Sequence, residues 1–225
     1  MKTKAILSLV LLVPLPSIGV LAAMVFFPDT ALGKGIFALS KVGLLAFPVL
    51  WYLVADKGRL SLSPPRKGGF GVGVFSGVLL SGVILAAYFL LGDFFLDKGM
   101  FLEKMRAIGL ASLVAYTAGA VYWIGVNSVL EEYVWRWFVV RQSEKLFTPI
   151  LAVVVSAACF TLHHILAMKV FMSWPATLAC SLGIFVGGAV WSWIFVKYQS
   201  IWPGYVSHAI VDICVFGIGA ALIFG

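Results

Sequence analysis

The chain alternates between long apolar stretches and short polar segments. The apolar runs reach about 20 residues or more, the length that a helix needs to cross the hydrocarbon core of a bilayer. They lack the strict alternation of membrane-spanning β-strands. The pattern therefore predicts an all-α, polytopic transmembrane helix bundle with about seven spanning helices. The predicted stretches are residues 5–27, 36–55, 70–91, 110–140, 147–168, 175–196 and 203 to the C-terminus.

Two of these stretches carry glycines at GxxxG spacing, Gly73 with Gly77 and Gly183 with Gly187. This spacing permits close contact between membrane helices. The stretch 110–140 is longer than one simple span, so we expect it to tilt or to begin with an interfacial turn. The segment 92–107 is expected to be a polar loop.

Composition supports a membrane protein. Of the 225 residues, 62% are hydrophobic and 11% are charged, whereas soluble domains average about 25% charged residues. The excess apolar surface requires lipid, and we expect one transmembrane domain over residues 1–225. The net charge of +7 comes mainly from basic residues between apolar stretches. We interpret them as topology signals and contacts to membrane lipids, and expect no nucleic-acid partner.

The polar segment 56–69 is the densest basic loop, which places it in the cytoplasm. Its basic residues are Lys57, Arg59, Arg66 and Lys67. The N-terminus, with Lys2 and Lys4, then also lies in the cytoplasm, and 92–107 lies outside. The first stretch is either a signal peptide or a retained helix, and its length favours the helix. We expect an integral protein of the plasma (inner) membrane.

Three apolar helices contain ionisable residues, which cost roughly 2.5–3.5 kcal/mol each near the membrane centre. The first group lies around Glu131 and Glu132. Glu132 and Arg136 are one turn apart and can form an ion pair. Glu131 points about 100° away, with Asn127 one turn before it. This leaves Glu131 as a candidate general base; the alternative is a solvated ion pair at a helix end.

The second group contains two adjacent histidines. Phe160 and His164 share a helix face, so the phenyl ring can pack beside the imidazole. His163 and His164 point about 100° apart, and we therefore expect only one of them to enter the site. The alternative is an interfacial histidine at a helix end.

The third group is His208 and Asp212, which are one turn apart on the last helix. Asp212 can accept a hydrogen bond from an imidazole nitrogen, or both residues can face one ligand. The alternative is a polar pair that satisfies itself inside the bundle. No H-E-x-x-H, Ser–His or G-x-S-x-G pattern accompanies these groups.

The order E-E-x-x-x-R, F-x-x-x-H, H-x-x-x-N/D resembles the CPBP family of intramembrane proteases, which includes the type II CAAX prenyl endopeptidases. The motifs span about residues 125 to 215 and place a family-like catalytic core in residues 110–225. The resemblance implies that Glu131 and His164 activate a water. His208 and Asp212 would stabilise the oxyanion. Glu132, Arg136, Asn127 and Phe160 would support them.

The resemblance leaves the cofactor open. His164, His208 and Glu131 could hold a divalent metal such as zinc, or a Glu–His pair could act without one. Asp212 stands where many members have Asn, and an ionised Asp cannot donate a hydrogen bond to an oxyanion. This departure weakens the case for CAAX processing in particular.

The sequence thus predicts an endopeptidase that cleaves a membrane-associated or lipidated peptide. The alternatives are a transporter with a proton or ion path and an immunity or scaffold protein. The predicted topology puts His164 near the outer end of its helix and His208 near the inner end of its own. The protease hypothesis requires them to converge, and a Glu131–His164 separation above roughly 10 Å would favour the alternatives.

Overall fold

The computed structural model describes residues 2–59 and 61–225. The regular secondary structure in these ranges is helical, with loops between the helices. There are eight helices in this part of the chain, and all but α4 are long and apolar enough to cross a membrane. They are α1 (Lys2–Phe26), α2 (Ala31–Val54), α3 (Phe70–Phe95), α4 (Lys98–Ala107), α5 (Leu113–Glu144), α6 (Pro149–Phe171), α7 (Trp174–Tyr198) and α8 (Trp202–Phe224).

The predicted all-α bundle with seven spanning helices is confirmed, and the chain is an integral membrane protein. The prediction of a loop over 92–107 is wrong, because α4 occupies most of it. Asp97 begins this helix by accepting a hydrogen bond from the Met100 amide at 2.9 Å. An N-terminal cap of this kind starts a helix that apolar periodicity does not mark.

Helix α5 is the longest helix, with 32 residues. It contains two π-helical segments, Trp123–Asn127 and Glu132–Val140. The second segment is the buried centre of the bundle, because eight of its nine residues are inaccessible. A π-helical segment changes which side chains share a face and often accompanies a functional site.

The first GxxxG pair makes the expected helix contact. A Cβ atom at Gly73 would overlap with the Pro203 carbonyl oxygen, and one at Gly77 would lie 2.9 Å from the Ser207 carbonyl oxygen. Helix α3 therefore packs backbone to backbone on α8. The second pair, Gly183 and Gly187, makes no such interhelical contact.

Gly188 serves the contact between α6 and α7 instead. A Cβ there would lie 3.1 Å from the Phe160 ring and 3.5 Å from the Ala157 Cα. The GxxxG expectation for α7 is thus wrong by one residue, which is enough to turn the small side chain to another face of the helix.

The connection between α2 and α3 is fastened to the start of α8 through residues 61–69. Ser200 donates a hydrogen bond to the Ser63 carbonyl at 2.6 Å, and the Ile201 amide donates to the Ser63 hydroxyl at 3.1 Å. The Trp202 indole N–H donates to the Leu62 carbonyl at 2.9 Å. We call residues 61–69 the docked loop.

The ends of α1, α2 and α5 meet on one face of the bundle. The Lys4 ammonium donates to the Ala55 carbonyl at 3.1 Å, and the Lys145 ammonium lies 2.8 Å from the Asp56 carboxylate. A cavity of about 280 Å³ opens on this face beside Arg141 and Trp137. This face carries the basic residues on which the predicted topology depends.

Candidate active site

Glu132 and Arg136 form the predicted ion pair. The Arg136 Nε lies 3.4 Å from Glu132 Oε1, and both side chains are 0% exposed. The guanidinium also lies over the rings of Phe160, at 4.5 Å, and Trp191, at 5.1 Å. A solvated pair at a helix end, the alternative considered for these residues, does not fit this burial.

Glu131 points away from Arg136, as its position on the helix predicts. Its Oε1 accepts a hydrogen bond from the Asn127 side chain at 2.8 Å. Its Oε2 lies 3.6 Å from His208 Nε2. The neutral Asn127 amide therefore orients the Glu131 carboxylate through Oε1, and Oε2 can bind another ligand.

His164 is oriented by the turn that precedes it. Its Nδ1 lies 2.8 Å from the Phe160 carbonyl oxygen, and the two rings are 4.5 Å apart at their centroids. A carbonyl oxygen only accepts hydrogen bonds, so the hydrogen of neutral His164 is assigned to Nδ1. Nε2 then carries a lone pair that can accept a proton or a hydrogen bond.

Both His163 and His164 lie at the site, contrary to the expectation that only one of the two would enter it. One ligand atom each from Glu131, His163 and His164 lies within 4.8 Å of the others. The two imidazole centroids are 4.0 Å apart, and His163 stacks on Trp135 with an interplanar angle of 7°. His164 turns back toward the preceding turn of α6, as helical side chains do, and the two imidazoles remain close although the residues are adjacent in the helix.

His208 joins both carboxylates of α5 to the last helix. Its Nδ1 lies 3.1 Å from Glu132 Oε1, and its Nε2 faces Glu131. A carboxylate only accepts, so Nδ1 carries a hydrogen and Nε2 carries one only in the imidazolium form. His208 can thus be a donor toward the site when it is doubly protonated.

The sequence left two arrangements open for Asp212, a hydrogen bond from His208 or a ligand shared with it. The hydrogen bond is not formed, because Asp212 Oδ2 lies 3.8 Å from His208 Nε2. Its partner is Ser128, whose hydroxyl lies 2.5 Å from the same oxygen. The Ser128 hydroxyl also lies 2.8 Å from the Trp123 carbonyl oxygen. The spacing within α8 could not reveal this contact, which crosses from α8 to α5.

The predicted site residues therefore meet, although the predicted topology puts His164 near the outer end of α6 and His208 near the inner end of α8. The Phe160 ring lies 4.5 Å from the His164 ring and 6.2 Å from the His208 ring. The His164 side chain turns back along α6, which brings its ring to the level of His208. A carboxylate oxygen of Glu131 and a ring nitrogen of His164 lie within 4.8 Å of each other. This is well below the roughly 10 Å at which direct or water-mediated proton transfer fails.

Four residues of the site were not predicted: His163, Ser128, Trp191 and Ser207. Trp191 stacks on His208 with centroids 3.8 Å apart, and its indole N–H donates to the Ser207 hydroxyl at 3.0 Å. Small polar or aromatic residues on apolar helices resemble ordinary core residues in a sequence. Only His163 gave a signal, as an ionisable residue in a membrane span.

The fold is that of a membrane-embedded helix bundle, and a family comparison agrees with the motifs. Residues 113–214 match the family described as type II CAAX prenyl endopeptidase Rce1-like. The resemblance inferred from the motifs is confirmed by this match, which contains all three motifs. No curated protein and no solved structure gives a significant match to the chain.

Proposed function

We propose that the protein is an intramembrane endopeptidase that hydrolyses a peptide bond of a membrane-associated or lipidated peptide. The observation that carries the proposal is the meeting of Glu131, His164 and His208, from three different helices, around one point. The family of residues 113–214 supports the same reaction class. A transporter would instead need ionisable groups at several depths along a path.

Glu131 and His164 can together activate one water molecule. The Glu131 carboxylate and the His164 Nε2 lone pair are both acceptors, so each can take one hydrogen of a water between them. The water oxygen is then free to attack the carbonyl carbon of the peptide, and Glu131 receives the proton. The Glu131 side chain is 18% exposed and that of His208 5%, and this limited contact with solvent strengthens the electrostatic interactions.

The tetrahedral intermediate needs a donor for its oxyanion and a proton for the leaving amine. His208 in its imidazolium form offers Nε2–H to the oxyanion, with Glu132 as the counter-ion at Nδ1. The proton taken by Glu131 passes to the amine nitrogen as the C–N bond breaks. The products are a carboxylic acid and an amine, and the atoms balance with one water consumed.

The test is a cleavage assay on purified protein in lipid nanodiscs. The substrates are a peptide library and a carboxyl-terminal cysteine peptide offered with and without a prenyl group. We expect Glu131→Gln and His164→Ala to lose cleavage while remaining folded. Glu103→Gln, which changes an exposed acid on α4, is the control. Full activity in Glu131→Gln or His164→Ala would refute the assigned roles.

A second candidate mechanism includes a divalent metal such as zinc. The donor set fits: one ligand atom each from Glu131, His163 and His164 lies within 4.8 Å of the others, and the buried Nδ1 of His163 has no hydrogen-bond partner among the residues that the structure describes. His164 bonds a carbonyl through its other nitrogen, as metal-ligating histidines usually do. His208, expected as a ligand, lies outside this group. A metal would polarise the peptide carbonyl and acidify a bound water.

Chelation separates the two mechanisms. If a metal is required, the purified protein contains about one zinc per chain, a chelator abolishes cleavage, and His163→Gln lowers the metal content. If Glu131 and His164 act alone, cleavage survives the chelator and His163→Gln leaves it intact. Elemental analysis of the purified protein is a readout independent of activity.

The face that gathers Lys4, Asp56 and Lys145 is proposed to lie in the cytoplasm, with the N-terminus on the same side. Basic residues between membrane spans favour that side. A cysteine introduced at Lys57 should resist an impermeant thiol reagent added to intact cells, and one at Lys98 should react. The opposite labelling would invert the topology.

A further inference from the structure

Trp191 restricts the orientation of the His208 ring, although no motif includes this tryptophan. The indole lies almost parallel to the imidazole, with centroids 3.8 Å apart and an interplanar angle of 14°. Trp191 is 4% exposed, so its position is fixed by protein contacts. A face-to-face contact this close leaves the imidazole little freedom to rotate about its side-chain bonds.

The indole itself is held at its edge. Its N–H donates to the Ser207 hydroxyl at 3.0 Å, and Ser207 directly precedes His208 in α8. The Ser207 hydroxyl lies 3.0 Å from the Ser76 hydroxyl of α3. Three helices thus meet at this tryptophan, and two consecutive residues of α8 contact its face and its edge.

Gly187 leaves the space that the indole occupies. A Cβ atom at Gly187 would lie 3.2 Å from Cη2 of Trp191, which is tighter than an ordinary van der Waals contact. The glycine therefore serves the placement of Trp191 within α7, and not the helix contact that its GxxxG spacing suggested.

We propose that Trp191 is a positioning residue for the reaction: stacked on His208 and anchored to Ser207, it keeps Nδ1 directed at Glu132 and Nε2 directed at Glu131. The two nitrogens have different tasks in the proposed mechanism, so a rotated ring would lose both. The indole face also stabilises the imidazolium through a cation–π interaction. The inference rests on the proposed function.

Cleavage kinetics of Trp191→Leu, Trp191→Phe and Trp193→Leu test the proposal. Trp193 lies on the same helix and is 45% exposed, so Trp193→Leu is the matched control. We expect Trp191→Leu to lower kcat about 100-fold, the cost of a displaced catalytic group, with KM nearly unchanged. Trp191→Phe keeps an aromatic face and should recover part of that loss. Equal kcat values in Trp191→Leu and Trp193→Leu would overturn the proposal.

A second measurement does not depend on cleavage. The chain has three histidines, so ring signals of labelled histidine can be assigned in NMR spectra by comparison with His163→Gln and His164→Gln. The stacked indole should shift the His208 ring protons upfield, and Trp191→Leu should remove that shift. Unchanged His208 signals would contradict the stacking.

Gly187→Ala covers the case in which Trp191→Leu fails to fold. It retains the indole but presses on its Cη2, and we expect it to lower kcat and to move the His208 ring signals. Wild-type kcat and wild-type ring signals in Gly187→Ala would overturn the proposal. Absence of cleavage by the wild-type protein on every peptide would instead refute the proposed function, while the NMR result would still decide the stacking.

Discussion

Replacing Arg136 with methionine should strongly destabilise the bundle. The substitution preserves volume but leaves Glu132 charged and 0% exposed. At the observed 3.4 Å and an effective dielectric constant of about 20, the pair attracts by about 5 kcal/mol. Breaking a buried pair by removing one partner costs about 3–5 kcal/mol. His208 Nδ1, 3.1 Å from Glu132, remains as a partner, so we expect a loss near the lower limit, about 3 kcal/mol.

The assay is reversible unfolding of the purified protein in mixed micelles, with the free energy of unfolding taken from the denaturant midpoint. The double variant Glu132→Gln with Arg136→Met removes both charges and should recover at least about 1 kcal/mol relative to Arg136→Met alone, since neutralised buried pairs are often tolerated. A loss below about 1 kcal/mol for Arg136→Met, or a double variant less stable than the single one, would refute this electrostatic account.

Two further predictions follow from helix contacts. Gly73→Ala should destabilise the protein by about 2 kcal/mol, as overpacking does, because the new Cβ meets the Pro203 carbonyl. The control Gly71→Ala, whose Cβ meets nothing within 4 Å, should leave the unfolding midpoint unchanged. Equal unfolding midpoints for Gly73→Ala and Gly71→Ala would refute the contact. Asp212→Asn should retain cleavage because the new amide can donate a hydrogen bond to the Ser128 hydroxyl, whereas Asp212→Leu should lose cleavage. Equal activities of these two variants in the peptide assay would exclude a polar role for residue 212.

The spanning helices could be predicted because their apolar runs match the thickness of a bilayer. The Glu132–Arg136 and Asn127–Glu131 contacts could be predicted because each joins side chains one turn apart on a single helix. Helix α4 was not predicted, because it starts at a capping aspartate and no apolar stripe marks it.

Contacts between helices were the main unpredicted part of the site. The pairing of Asp212 with Ser128 depends on how α8 lies against α5, and the pairing of His208 with Trp191 depends on α7. The entry of His163 was missed because a separation of about 100° around the helix was taken to exclude a second histidine, whereas the two imidazole centroids lie 4.0 Å apart. The motifs identified which residues matter, and the packing supplied their neighbours.

The docked loop has a consequence for any attempt to isolate the segment that matches the family. A fragment trimmed to residues 113–214 would retain every motif residue but would lack α3 and the Ser63 contacts to Ser200 and Ile201. The backbone of α8 beside Pro203 and Ser207 would then be stripped of the helix that covers it. The amino-terminal half, although it carries no motif, acts as a scaffold for the histidine of the last helix.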